Sequence, residues 1–237
     1  MRIAKLANTL PAALPIYDEL KSDSDSEVFV ILCPVSPDSA LRELFQHCAR
    51  WIVKRARWQS LRLLLEGRVF FFRNTLDHPK ALTRLSKLNL ELGLHKSGTI
   101  YRESTINCFR LGILNAHIGM LPAYRGRSVM EWAVLEGNQV GISVFFIDAG
   151  VDTGERIVLT EEVDISNFDS LAGAKQCLFS LDAVFYRRAL DLLSSGQVNY
   201  QRNGLSGRRY YVMSKLFNDV AEKVFSISNQ QSTISNR

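Results

Sequence analysis

The sequence predicts an α/β domain whose sheet is largely parallel. Apolar runs of strand length recur along the chain and alternate with segments of helical periodicity. The clearest runs, at 27–34 and 141–148, are almost continuously apolar, which is typical of strands buried on both faces. The chain has 237 residues, enough to bury a large core. We expect one main domain over 1–200 and a C-terminal extension over 201–237.

In the first part of the chain, strand and helix signals follow one another closely. Residues 2–8 predict a strand. Thr9 followed by Pro11 marks the start of a helix, because threonine caps unpaired N–H groups and proline fits the first turn. Gly67 is suited to end a long helix. Two further strands are expected at 68–74 and 88–94, and two helices at 39–66 and 77–88.

The second part of the chain continues the alternation. Ser166 and Asp169 have the spacing of a capping box, so a helix is predicted from there to Gly196. Residues 204–213 predict a plain hairpin, with a late strand or a substrate-facing flap as alternatives. The polar end of the chain, rich in serine and asparagine, predicts a loose tail. The remaining elements are a strand ending at Asn115, a helix over 127–136, and strands over 141–148 and 154–164.

Composition places the chain among ordinary globular proteins with a modest excess of positive charge. The hydrophobic fraction is 46%, the charged fraction is 22% and the net charge is +5, which mildly favours anionic partners. We find no apolar run long enough to span a bilayer and no signal-peptide pattern, so we expect a cytoplasmic protein and no membrane partner. The cysteines lack zinc-type spacing, and we expect reduced thiols at Cys33, Cys48, Cys108 and Cys177.

The stretch GILNAHIGMLPAYRGRSVMEW, residues 112–132, places an amide and an imidazole where a buried strand should end. Asn115 and His117 are two positions apart, so they project to the same side if the strand continues. Ligands of open α/β sheets lie at the carboxyl ends of strands. There an amide can stabilise an oxyanion and an imidazole can move a proton, which makes the pair a candidate site for acyl transfer. The alternative is a structural histidine whose nitrogens are satisfied by backbone groups.

The stretch FFIDAGVDTG, residues 145–154, leaves a strand and enters a loop rich in aspartate and glycine. Gly150 and Gly154 permit tight turns, which expose backbone N–H and C=O groups able to bind a planar heterocycle. Asp152 is a candidate to orient a histidine and to stabilise its protonated form. The alternative interpretation is an ordinary connecting hairpin.

Together, these two stretches resemble the motifs of the folate-dependent formyltransferases. The family pattern is Asn-x-His-x-Ser-x-Leu-Pro-x-aromatic-Arg/Lys-Gly and, further along the chain, Asp-x-Gly-x-Asp-x-Gly. The resemblance implies a Rossmann-like formyltransferase fold, with 1–200 as the catalytic domain. The matching residues are Asn115, His117, Leu121, Pro122, Tyr124, Arg125, Gly126, Asp148, Gly150, Asp152 and Gly154.

The resemblance also implies a role for each matched position. Asn115 would hold the formyl oxygen of 10-formyltetrahydrofolate, His117 would transfer protons, and Asp152 would set the protonation state of the histidine. The chain departs from the family at Gly119, where the family has serine, and this affects substrate positioning more than the chemistry. The implied binding residues for the pterin of the donor are Ile147, Asp148, Gly150 and Val151, and those for the acceptor are Arg125 and Gly126, with no metal expected.

The acceptor amine is less clearly indicated. The loop after the first strand, LANTLPAALP, contains no glycine and so lacks a phosphate cradle of closely approaching N–H groups, which argues against glycinamide ribonucleotide. The turn at Thr9 is more similar to methionyl-tRNA and sugar formyltransferases. Since little chain follows the last predicted helix, we favour a small amine, such as an amino-sugar nucleotide, over tRNA. Formyltetrahydrofolate hydrolysis and the other two acceptors stay open, as does a homodimer.

Arg127 follows the acceptor motif directly and, with Arg125, is suited to an anionic acceptor or to the glutamate tail of folate. The alternative for Arg127 is a solvated residue at a helix start.

Residues 48–68, CARWIVKRARWQSLRLLLEGR, suggest a function from another class. Arg50, Lys54 and Arg57 share one helical stripe with two tryptophans nearby, a pattern typical of helices that bind nucleic acid or acidic membranes. The alternative is an amphipathic helix with a solvated charged face. A non-catalytic basic binding module is therefore a second hypothesis.

Overall fold

The computed structural model describes residues 1–21, 26–34, 62–148, 156–202 and 208–235. The chain divides into two compact units, Met1–Asn115 with Ile147–Gly150, and Ala116–Phe146 with Val151–Arg237. Strand β5 (Gly112–Ile118) contains the point at which the chain passes from the first unit to the second. Within the described ranges, no helix has both the length and the apolar character needed to cross a membrane.

The first unit contains a parallel sheet with the strand order β3-β2-β1-β4-β5. Its other strands are β1 (Arg2–Ala7), β2 (Glu27–Leu32), β3 (Val69–Phe71) and β4 (Leu92–Lys96). Its helices are α1 (Leu10–Leu20), α2 (Pro79–Ser86) and the short α3 (Glu103–Ile106). Parallel strands that alternate with helices confirm the predicted α/β class.

Local sequence explains where these elements begin. The Thr9 side chain accepts the Ala12 N–H at 3.3 Å, as predicted for the cap of α1. His78 caps α2, with Pro79 at its first position. The strand expected at 88–94 is shifted along the chain, because Asn89 takes a positive φ of 48° and the strand starts only at Leu92.

The second unit combines antiparallel strands with most of the remaining helices. β7 pairs antiparallel with β8, and β8 with β9, whereas β6 pairs parallel with β10. The strands are β6 (Arg125–Gly126), β7 (Gly141–Phe146), β8 (Arg156–Glu162), β9 (Gln201–Arg202) and β10 (Arg209–Tyr210). The helices are α4 (Val129–Leu135), α5 (Leu171–Ser180), α6 (Asp182–Ser195) and α7 (Lys215–Ser235).

Several predictions for the second unit were wrong in detail. The cap of α5 is Ser170, not Ser166, because the Ser170 side chain accepts the Gly173 N–H at 3.1 Å. The long predicted helix is two helices that meet at Leu181. The described part of 204–213 is not the hairpin we favoured but the late strand given as an alternative, β10, which pairs with β6.

The end of the chain also differs from the prediction. Residues 215–235 form helix α7 instead of a loose tail. Phe217, Ala221 and Phe225 recur every fourth residue, and the last two are buried, so a packed apolar face holds the helix. The domain boundary expected at residue 200 stays a prediction.

Most of the predicted helix 39–66, including the basic stripe and Cys48, lies outside the described residues. Residues 62–65 are helical, and Gly67 follows with a positive φ of 65°, as predicted for a helix end. The described cysteines are thiols and not disulfides, namely Cys33, Cys108 and Cys177.

Candidate active site

Strand β5 continues beyond Asn115 to Ile118, so it carries both the amide and the imidazole of the predicted site. Asn115 is half-buried, and His117 is 8% exposed. Between them, Ala116 donates its backbone N–H to the hydroxyl of Tyr186 in α6, at 3.0 Å. Helix α6 therefore holds the strand at the residue that separates the two candidates.

The imidazole of His117 has a defined orientation. Its Nε2 lies 3.0 Å from the backbone carbonyl oxygen of Tyr124. Because a carbonyl oxygen only accepts hydrogen bonds, Nε2 carries the hydrogen and the neutral ring has its lone pair on Nδ1. The edge of the ring meets Phe145, with centroids 6.5 Å apart and planes at 89°. The bond to Tyr124 thus selects one tautomer.

The turn that supplies the Tyr124 carbonyl is fixed by a buried serine. Ser143, in the middle of β7, is fully buried. Its hydroxyl donates to the Gly119 carbonyl at 2.7 Å and accepts the Leu121 N–H and the Thr160 hydroxyl, each at 3.0 Å. A polar residue inside an apolar strand was the one sequence signal for this role, and our sequence interpretation missed it.

A cavity of about 360 Å³ borders His117. Glu131 lies on its wall, is 8% exposed and forms an ion pair with Lys175, so this charge is buried with a partner. Arg127, Phe179 and Val212 also line the cavity, which therefore offers charged and apolar surface. A larger cavity of about 490 Å³ is lined by Tyr124, Glu136 and Tyr210, among others, but not by His117.

The motif residues after the turn are held by a network around Glu136. Its carboxylate accepts the hydroxyls of Tyr124 at 2.8 Å and Tyr210 at 2.9 Å. Burial is the main cause, and the hydrogen bond to this carboxylate the second, of a raised pKa for both tyrosine hydroxyls. Both hydroxyls therefore stay protonated and donate their hydrogen bonds. The two rings stack with centroids 5.2 Å apart. The network joins the turn to β10.

Arg125 and Gly126 form β6 in this region. Gly126 has a φ of +111°, and a Cβ atom there would lie 2.2 Å from the Tyr210 carbonyl oxygen. Residue 126 is therefore a glycine because the backbone of β10 lies too close to leave room for a Cβ atom. Arg125 is half-buried, and the acceptor-binding role of both residues remains a prediction.

The residues predicted to bind the donor are only partly described. Ile147 follows β7 and donates its N–H to the Ile113 carbonyl at 2.7 Å, and Asp148 is half-buried. Gly150, Val151 and Asp152 lie outside the described residues. Asp152 is therefore not placed relative to His117, and the catalytic roles expected for Asn115, His117 and Asp152 all stay predictions.

Two contacts in the site were beyond the reach of sequence reasoning. Tyr186 reaches Ala116 from a position 70 residues further along the chain, and Lys175 pairs with Glu131 across 44 residues. Neither spacing carries a local signal, because only the packing of α5 and α6 brings these side chains to the site.

Comparison with known proteins identifies the family. Residues 1–190 match the family model described as formyl transferase. A methionyl-tRNA formyltransferase from Syntrophus aciditrophicus is 31% identical over 166 residues, which cover 68% of this chain and 51% of that protein. The first curated relatives are matched over 29% and 46% of their own lengths, so the chain spans about half of them or less.

Solved structures show the same fold at low sequence identity. A sugar N-formyltransferase from a Shewanella species has a TM-score of 0.64 at 13% identity, covering 95% of this chain and 87% of that one. The formyltransferase PseJ from Anoxybacillus kamchatkensis has a TM-score of 0.56 at 18% identity, covering 89% and 86%. The Rossmann-like fold is thereby confirmed. Because the family model covers most of its length, this chain belongs to the formyl transferase family.

Proposed function

We propose that this chain transfers the formyl group of 10-formyltetrahydrofolate to an amine of a small molecule such as an amino-sugar nucleotide. The observation that carries the proposal is the end of β5, where Asn115 and a buried, oriented His117 follow one another in a formyl transferase chain. The cavity beside His117 offers space for the reacting groups. A cytoplasmic location and a homodimer remain predictions.

In this mechanism, the Asn115 amide donates to the formyl oxygen and stabilises the negative charge that develops there. The acceptor nitrogen attacks the formyl carbon, a new C–N bond forms, and the bond from that carbon to N10 of the folate breaks. His117 accepts the proton that the amine loses, at Nδ1, and N10 takes up a proton in turn. Asp152 stabilises the protonated imidazole.

We assign the pterin of the donor to Ile147, Asp148, Gly150 and Val151. The Ile147 N–H already bonds Ile113, so its carbonyl oxygen is the group we assign to the pterin. The solved Anoxybacillus enzyme is described as a complex with tetrahydrofolate and a formamido sugar nucleotide, which supports this pair of ligands.

Charge near His117 supports an acceptor that carries phosphate. Arg127 lines the cavity and is exposed, and Arg125 lies two positions before it in the chain. Guanidinium groups bind phosphate oxygens in bidentate fashion. We therefore favour a nucleotide-linked amine.

Methionyl-tRNA is a second candidate acceptor, because the matched curated relatives carry that name. An acceptor panel separates the candidates: amino-sugar nucleotides, glycinamide ribonucleotide, charged initiator tRNA and free amino acids, each with 10-formyltetrahydrofolate. Formylated product is measured by mass spectrometry and tetrahydrofolate release by absorbance. We expect product with an amino-sugar nucleotide.

Three other results would overturn this function. Tetrahydrofolate release without any acceptor would indicate a hydrolase, and product with tRNA alone would indicate the second candidate. Absence of all turnover, with salt-sensitive binding to RNA or acidic vesicles, would favour the basic binding module.

Asp152→Asn should lose transfer, whereas the matched control Asp169→Asn, at an exposed position, should retain it.

A further inference from the structure

Gly119 lies directly after β5, where the family motif has serine. Its φ is outside the left-handed region, so the backbone does not require glycine here. A Cβ atom at this position would lie 2.7 Å from Nε2 of His117 and 2.7 Å from the Tyr124 carbonyl oxygen. Both distances are well inside van der Waals contact, so a side chain at residue 119 forces a neighbour to move.

The two crowded atoms are the donor and the acceptor of one hydrogen bond. Nε2 of His117 and the carbonyl oxygen of Tyr124 are 3.0 Å apart and buried. A methyl group at residue 119 would contact both ends of this bond. While the backbone keeps this conformation, a side chain at residue 119 is therefore incompatible with the hydrogen bond between His117 and Tyr124.

The surrounding contacts decide which neighbour moves. Ser143 holds the Gly119 carbonyl and the Leu121 N–H, and the Tyr124 N–H donates to the Met120 carbonyl at 2.9 Å. The turn is thus fixed on both sides of the crowded point. The imidazole can rotate about two side-chain torsions, so we expect the ring of His117 to move and the turn to stay in place.

We propose that Gly119 is the positioning residue that sets the orientation and tautomer of His117, and this rests on the proposed formyl transfer. With glycine, Nε2–H is bound to the Tyr124 carbonyl, and Nδ1 is the nitrogen that accepts the proton of the amine. With a larger residue, the ring turns away and the tautomer is no longer selected. The glycine at the family's serine position is therefore part of the site's geometry.

The direct test observes the imidazole and does not depend on activity. Nitrogen-15 NMR of the full chain distinguishes a protonated ring nitrogen from one with a lone pair, and the His117 signals are those lost in His117→Gln. We expect the wild type to show the Nε2–H tautomer. In Gly119→Ala and Gly119→Ser, we expect the averaged shifts of an imidazole that exchanges between tautomers.

The second readout is kinetic. Because displacement of a catalytic group by about 1 Å can cost about 10²-fold, we expect kcat of Gly119→Ala to fall by about that factor, with KM for the folate unchanged. Gly137→Ala is the matched control. Gly137 has a φ of +70°, and a Cβ atom added there would meet no atom within 4 Å, so this change strains the backbone without contacting His117.

The outcomes separate this inference from the proposed function. A wild type with the hydrogen on Nδ1, or a Gly119→Ala variant with unaltered tautomer and kcat, would overturn the positioning role. A similar fall in kcat in Gly137→Ala would also overturn it, since general loss of stability would then suffice. If the tautomer changes as expected but no acceptor is formylated, the positioning stands and the proposed function fails.

Discussion

Two histidines near strand ends in this molecule differ in the groups that surround them. His95, in β4, places its Nδ1 3.1 Å from the hydroxyl of Tyr101. Burial, together with the positive charges of Lys5 and Lys96, lowers the pKa of His95 to about 3. His117, in β5, instead donates from Nε2 to a backbone carbonyl and lines a cavity.

The difference shows that position in the fold does not decide what a histidine can do. His95 cannot take up a proton at neutral pH, because desolvation and two like charges oppose it. His117 keeps a tautomer whose lone pair is on a defined nitrogen. We therefore propose a structural role for His95 and, as part of the proposed function, proton transfer for His117. Variants of both residues and their neighbours test this contrast.

The largest expected effect is on the His117 side of the comparison. His117→Gln should lower kcat for formyl transfer by about 10²–10⁴-fold, the usual contribution of a general acid–base group. His95→Gln should leave kcat close to the wild-type value. Steady-state kinetics on both variants measure the contrast, with circular dichroism to check folding. A comparable loss in both variants would remove the distinction between the two histidines.

The residue two positions before His117 should show the next largest effect. Asn115→Ala removes the proposed donor to the formyl oxygen and should lower kcat by about 10²–10³-fold without unfolding the chain. Asn167→Ala, at an exposed turn, is the matched control. Single-turnover kinetics should place the loss on the chemical step. If KM alone rises, Asn115 binds substrate and does not stabilise charge.

The sequence was a good guide to this strand but not to what surrounds it. The apolar run and the two-residue spacing predicted that Asn115 and His117 share a strand, and β5 extends far enough to carry both. The contact between His117 and the Tyr124 carbonyl depends on the path of a turn. Every residue has a backbone carbonyl, so the residue types do not indicate which one the histidine contacts.

The same reasoning explains which parts of the fold were predicted. Buried parallel strands such as β2 have a nearly continuous apolar pattern, so they were identified with few errors. Helix α7 was missed because its polar composition concealed an apolar residue at every fourth position. A late strand was only the alternative to a hairpin at 204–213, because the pairing of β10 with β6 joins segments far apart in sequence, which no local pattern records.

A smaller effect concerns the stability contributed by His95. Its pKa is about 3 in the folded chain against an ordinary value of 6.5, so below 6.5 the unfolded chain binds a proton that the folded chain does not. Stability is therefore full above pH 6.5 and falls as the pH drops toward 3. Between about pH 7 and about pH 5, this group should account for a loss of about 1–2 kcal/mol.

Urea unfolding of the wild type and of His95→Gln at the two pH values measures this contribution. The variant should lose less stability on acidification, because its side chain does not titrate. His78→Gln is the control, since His78 is exposed at the cap of α2. Parallel pH dependences in the wild type and His95→Gln would show that His95 is not held neutral.

The smallest effect tests whether α6 positions the strand end that carries His117. Tyr186→Phe removes the hydroxyl that accepts the Ala116 N–H and should lower the free energy of unfolding by about 1 kcal/mol. It should also lower kcat severalfold, because the strand end between Asn115 and His117 loses this hydrogen bond to the helix. Tyr200→Phe, at an exposed tyrosine, is the matched control. A loss of stability with unchanged kcat would limit Tyr186 to packing, and would mean that the other contacts of this region, including those of Tyr124 and Ser143, position the imidazole without it.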